Sequence, residues 1–169
     1  MTCILLGLGS NIGDRLGYLY SAVHTLRSHI TLVTMSRIYE SSPMYVMDQP
    51  FYLNMVVVGE TDQSPEAVLE ICKAIEAQFG RQRFIRCGPR CLDIDLLAYG
   101  QEIHKENTLS IPHQRMAERP FVLLPLQEVM PQWHHPITGY SVAEMIAVLD
   151  CEMEIRPVAT IDLVAGEHD

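Results

Sequence analysis

The spacing of apolar residues switches between strand and helix periods along the first hundred positions. The order of those switches constrains the fold more than any other feature of the chain. Residues 3–8, CILLGL, form a short apolar run of buried-strand length. Gly9-Ser10-Asn11 then predicts a turn, and Asp14 caps a helix reaching about His29, with Leu16, Leu19, Val23 and Leu26 at helical spacing. The stretch 31–39, TLVTMSRIY, is rich in β-branched residues and predicts one strand, and 51–61, FYLNMVVVGET, predicts another after an intervening loop. Ser64-Pro65-Glu66 opens a second helix, with Val68, Leu69, Cys72, Ile75 and Phe79 on its core face and Gly80 as its stop. Residues 92–100, LDIDLLAYG, read as a strand again. The order β-α-β-β-α-β is that of a ferredoxin-like α+β sandwich, an antiparallel sheet with helices on one face. Further on, 116–129 predicts a helix whose inner part starts after Pro120, and Ser141 caps a last helix through 149. The tail 151–169 is expected to fray at the periphery of a single domain spanning 1–169.

Charge and composition narrow the function. A net charge of −9 argues against a nucleic-acid partner, which asks for a basic face. No apolar run has the length to cross a bilayer, so no membrane role is expected. The N-terminus lacks the basic start of a secretory signal, which predicts a cytoplasmic protein. Cys3, Cys72, Cys87, Cys91 and Cys151 show no paired metal spacing and are expected to be reduced thiols. His134-His135 is expected at the surface. Yet six of the ten arginines fall between 81 and 119 (Arg81, Arg83, Arg86, Arg90, Arg115 and Arg119), a local positive cluster suited to a small polyanion.

The stretch RCGPRCLDIDLLAYG, residues 86–100, concentrates the chemistry. Asp93 and Asp95 sit two apart in a strand, so both carboxylates leave the same face, while Ile94, Leu96 and Ala98 are expected to face the core. Paired like charges on a strand are unfavourable unless a cation bridges them. Oxygen ligands alone suit Mg²⁺, which draws the rest of its shell from water and substrate phosphates. A lone D-x-D would more simply be a solvated strand face. Arginines leading through a Gly-Pro turn into it point instead to a nucleoside triphosphate with magnesium, since guanidinium groups match phosphate oxygens. No Walker A loop is present, so such a kinase belongs to another class.

With these residues in view, the chain resembles the 6-hydroxymethyl-7,8-dihydropterin pyrophosphokinase family of folate biosynthesis. The segment Arg86 to Leu97 is similar to the family's signature, and GLGSNIGDR, YESSPM, DQPFYLN and IPHQRMAERPFVLLPL are similar to four further motifs in order, covering about residues 4–136. The resemblance implies a ferredoxin-like fold and transfer of diphosphate from ATP to the pterin's hydroxymethyl oxygen, with release of AMP. It implies that Asp93 and Asp95 hold two Mg²⁺ ions and that Arg81 and Arg90 clamp the phosphates, with Arg83 and Arg119 beside them. Glu76, Ser110 and His113 match positions on the nucleotide side. Tyr52 and Phe121 match the rings that stack the pterin, and Asn54 matches the reader of its edge. Backbone groups near Ser41 and Ser42 complete that edge, with Met44 as cover. An aromatic sandwich with edge hydrogen bonds is also what a flat heterocycle requires physically. The family departs from this chain at Cys87, where many relatives carry an aromatic residue. The implied partners are the small molecules ATP and hydroxymethyldihydropterin, with no obligate protein partner indicated.

Two other classes fit the sequence less well. A metal-dependent nucleotidyl- or glycosyltransferase would need a sugar-nucleotide domain, for which 169 residues are too few. A ligand-binding regulatory domain explains the fold but not the acid pair beside the arginines.

Overall fold

The computed structural model describes residues 1–44, 48–79 and 91–162. Strand β1 (Thr2–Ser10) runs into helix α1 (Arg15–Leu26), whose N-cap Asp14 accepts the Gly17 N–H at 3.1 Å. Strands β2 (Thr31–Met35), β3 (Ile38–Ser41) and β4 (Tyr52–Thr61) follow, then helix α2 (Pro65–Gln78), capped by Ser64. Strand β5 (Asp93–Tyr99) completes the series. Beyond it come the small hairpin β6 (His104–Lys105) and β7 (Ser110–Ile111) and a single 3-10 turn (Met116–Glu118). Helices α3 (Pro120–Val129) and α4 (Val142–Ala147) and a last strand, β8 (Ile155–Ala159), end the described chain. The main sheet has the order β5-β1-β4-β3-β8, with β2 also paired to β4. Every pairing is antiparallel, as the ferredoxin-like order demands.

Several expectations change. The turn expected from Gly9 starts two residues later, at Asn11, because Gly9 and Ser10 pair with Asn54 and Leu53 and belong to β1. Leu16 is exposed, so the core face of α1 is Leu19, Ala22, Val23 and Leu26. The strand expected over 31–39 is broken at Ser36-Arg37. There the Ser36 hydroxyl accepts the Val56 N–H at 3.0 Å, and the Arg37 N–H turns out to Glu128 at 2.8 Å. Part of the tail does not fray: β8 pairs with β3, Glu154 and Ser42 exchange hydrogen bonds, and Ile161 is buried. His135 is buried too, its Nδ1 accepting the Ile137 and Thr138 N–H groups and its ring meeting Trp133 edge-on.

The sheet is covered on both faces, not one. Ile4, Leu6, Leu8, Leu53, Met55 and Val57 pack against α1 and α2 through Leu19, Val23, Leu26, Val68, Cys72 and Ile75. The other face carries Leu5, Val56, Val58 and Leu97 against α3 and α4 through Val122, Leu123, Leu126, Val142 and Met145. A register shift where β5 passes Leu5 and Leu6 inserts Leu97 as an extra residue, which sends Ala98 to the α3 side instead of the face shared by Ile94 and Leu96. Helix α3 is tied down at its far end by Glu128, which accepts from the Arg37 backbone, the Arg37 guanidinium at 3.2 Å and the Tyr39 hydroxyl. α3 therefore covers only part of its face, and the sheet beside its start is left open as a cavity.

Candidate active site

Register fixes the floor of that cavity. Gly9 stands between Asp93 on β5 and Asn54 on β4, and Gly7 stands between Asp95 and Val56. Directly opposed residues share a face of the sheet. Both aspartates and Asn54 therefore rise on the α3 side, separated by glycines that add no side chain. Ser41, opposite Tyr52, accepts the Asn54 amide N–H at 3.1 Å, which fixes the orientation of that buried amide.

The cavity above this floor has a volume of about 230 Å³. Its walls bring together all six residues expected on the ring side, Ser41, Ser42, Met44, Tyr52, Asn54 and Phe121, with Asp93, Asp95, His113 and Arg119 from the phosphate side. The Ser42 backbone N–H is committed to the Glu154 carbonyl at 2.9 Å, so near Ser42 the expected edge contact falls to other backbone groups. Arg119, just before α3, places its guanidinium 3.8 Å from the Asp95 carboxylate and 5.6 Å from the Phe121 ring centre. His113 is held by its N–H on the Leu97 carbonyl, and its Nδ1 accepts the Arg115 N–H at 3.2 Å. Burial, with the nearby Arg119 and Arg115 charges, drives its pKa down to about 4 against the pull of Asp93. The ring is neutral near pH 7, and with Nδ1 accepting, its proton sits on Nε2 as a donor.

Two expected residues lie elsewhere. Ser110 lines a second cavity of about 590 Å³, which shares His113 as a wall with the first. Glu76 is buried on the α2 side, where its carboxylate accepts the N–H of Ile94, the residue between the two aspartates, at 3.4 Å. Arg81, Arg83, Arg86, Cys87 and Arg90 lie outside the described residues. Other wall and support residues were not expected. Gly7, Gly9 and Gln49 line the cavity, and the buried Asn11 amide donates to Gln49 Oε1 at 2.9 Å and to the Pro50 carbonyl at 3.1 Å. Arg15 donates to the Phe51 carbonyl and pairs with Glu40, both at 2.9 Å. The alternate glycines of GLGSN were the available signal: small residues recurring every second position along one strand face.

Among the described residues no group of three or more His, Cys, Asp or Glu side chains is arranged to hold a metal ion. The aspartate pair alone suits Mg²⁺, which takes one or two carboxylates from a protein and fills its shell with water and phosphate oxygens. A zinc site would need more protein ligands than the pair supplies.

Fold and cavity together define a ferredoxin-like α+β protein in which an acid pair and an arginine open onto an aromatic, amide-lined recess. Residues 5–131 match the family of 7,8-dihydro-6-hydroxymethylpterin-pyrophosphokinase (HPPK), and the chain belongs to that family. The 2-amino-4-hydroxy-6-hydroxymethyldihydropteridine pyrophosphokinase of Methylorubrum extorquens is 43% identical over 152 residues, covering 89% of this chain and 95% of that protein. The folic acid synthesis protein fol1 of Pneumocystis carinii is 38% identical over 92% of this chain, which spans only 21% of that protein. A crystal structure of Plasmodium falciparum HPPK-DHPS superposes with a TM-score of 0.68 over 87% of this chain and 43% of that one, at 16% identity, and so speaks to the fold.

Proposed function

We propose that this chain transfers the terminal diphosphate of ATP to the hydroxymethyl oxygen of 6-hydroxymethyl-7,8-dihydropterin, releasing AMP, as a step of folate synthesis. The observation that carries the reading is the joint lining of one cavity by Asp93, Asp95 and Arg119 with Tyr52, Asn54 and Phe121, in a chain of this family. The substrate hydroxyl oxygen forms a bond to the β-phosphorus, the bridge from that phosphorus to the α-phosphate breaks, and the hydroxyl proton departs.

The chain's own residues bind and orient. Asn54, held by Ser41, offers an oriented amide to the pyrimidinone edge, and Tyr52 and Phe121 supply the stacking faces, with Met44 as cover. Asp93 and Asp95 would hold two Mg²⁺ ions, which when bound neutralise triphosphate charge and favour ionisation of the attacking hydroxyl. Arg119 already lies beside Asp95, and its guanidinium suits the transferring phosphates, with Arg81, Arg83 and Arg90 as the further clamps. The neutral His113 donates from Nε2 to a phosphate oxygen, and the nucleotide runs past it toward Ser110 in the adjoining cavity. Glu76 acts from behind β5, by holding the Ile94 N–H. Free thiols at the described cysteines support a reducing, cytoplasmic setting, and no described helix is long and apolar enough to cross a membrane.

The test is incubation with ATP, Mg²⁺ and the pterin while the nucleotide products are separated. AMP appearing in step with pterin diphosphate is the expected result. ADP, or no pterin-dependent turnover, would refute the reading.

A further inference from the structure

Gly9 occupies the centre of the site without a conformational reason to be glycine. It lies in regular strand pairing, and its φ is not in the positive range that favours glycine. What it lacks is room. A Cβ built on Gly9 would stand 2.8 Å from Asn54 Oδ1, while the next atoms, the Leu53 carbonyl oxygen and Asn54 Cγ, lie at ordinary contact distances of 3.7 and 3.8 Å. At Gly7 the corresponding neighbour is the aliphatic tip of Leu97 at 3.3 Å, a contact with packing side chain and not with a recognition group.

We propose that Gly9 is a specificity-determining position, whose missing side chain lets the Asn54 amide lie over β1 in the orientation that reads the substrate ring. The inference rests on the pterin reading above. Asn54 donates through Nδ2 to Ser41 Oγ, so its Oδ1 is turned toward Gly9. A methyl group at position 9 displaces that oxygen. The amide is the end of a side chain with torsional freedom, so the fold yields there at small cost, and the Ser41 hydrogen bond and the amide's direction are what is lost. The same absence keeps the path from Asp93 to Asn54 clear across β1, a span of two strand spacings, roughly 10 Å.

The experiment compares wild type, Gly9→Ala, Asn54→Ala and the double variant by calorimetric titration of 6-hydroxymethyl-7,8-dihydropterin. Each protein is first saturated with Mg²⁺ and a non-hydrolysable ATP analogue, and the analogue is titrated separately. Gly9→Ala should weaken pterin binding by about tenfold or more, the scale set by an unmatched buried polar group. The analogue's affinity should stay within about twofold, and the double variant should bind pterin no worse than Asn54→Ala by more than about twofold, because neighbouring effects that share one cause do not add. Wild-type pterin affinity in Gly9→Ala, or fully additive losses in the double variant, would overturn the assignment. If Gly9→Ala does not fold, the double variant decides: folding and binding like Asn54→Ala places the clash at the amide, and failure to fold overturns it. A wild type that binds the analogue but no pterin would refute the functional reading itself, a separate result.

Discussion

Two like charges on alternate residues of one strand face repel each other, so the pair Asp93 and Asp95 is held at some expense to the fold. Asp93→Asn should leave the thermal midpoint unchanged or raised, and Asp95→Asn, which relieves the same repulsion but gives up the Arg119 ion pair, should leave the protein folded, while turnover in each falls on the order of a thousandfold for the loss of several kcal/mol of charge stabilisation. Thermal melting and steady-state kinetics at saturating Mg²⁺ check both halves, and wild-type turnover in either variant would remove these carboxylates from the chemistry. His113 makes a pH-dependent prediction for the protein without ligands. Its folded pKa of about 4 lies below the ordinary 6.5, so between those values the unfolded chain binds the extra proton. Stability from this group is therefore complete above pH 6.5 and is lost progressively as the pH falls toward 4. Urea midpoints should drop more steeply over that range in wild type than in His113→Gln. Parallel profiles would show that the ring protonates as freely in the fold as in water.

At the scale of elements, the open cavity depends on where α3 stops covering the sheet. Glu128 anchors the end of α3 to β3 through Arg37 and Tyr39, while Arg119 and Phe121 sit at its start. Burial opposes the Glu128 charge, but hydrogen bonds from Tyr39 and Arg37 outweigh it and hold the carboxyl below its ordinary value. Glu128→Ala should cost about 2 kcal/mol in denaturant unfolding, as expected for several lost charge-assisted hydrogen bonds. That stabilisation should itself fade as wild type is acidified below the usual carboxylate pKa of 4.5, where the unfolded chain takes up the proton first. A variant as stable as wild type at neutral pH would mean that apolar packing alone seats the helix.

Across the whole molecule, the order of strands and helices was legible because period-two and helical spacings report burial on one face at a time. The same logic misplaced what depends on two faces. Ala98 follows Leu97 to the α3 side only because of a register shift that apolar pattern cannot display, and the second helical layer depends on how α3 and α4 fold back. Strand β8 was missed because IRPVA, in an acidic tail, becomes a strand only by meeting the free edge of β3. In the site, charged and aromatic residues were found from their types and order. Gly9 and Asn11 were not, because a residue acting through clearance or through a buried amide bond leaves no chemical label in the sequence. The proposed function requires one spatial arrangement: metal on the aspartates, pterin over Asn54, and the glycine strand between them. Crystals grown with Mn²⁺ in place of Mg²⁺, a non-hydrolysable ATP analogue and hydroxymethyldihydropterin, measured at the manganese edge, test it directly. Anomalous peaks are expected at the Asp93 and Asp95 carboxylates, with the pterin ring between Tyr52 and Phe121 and its edge on the Asn54 amide. Manganese bound away from that pair, or the pterin outside the recess, would contradict it.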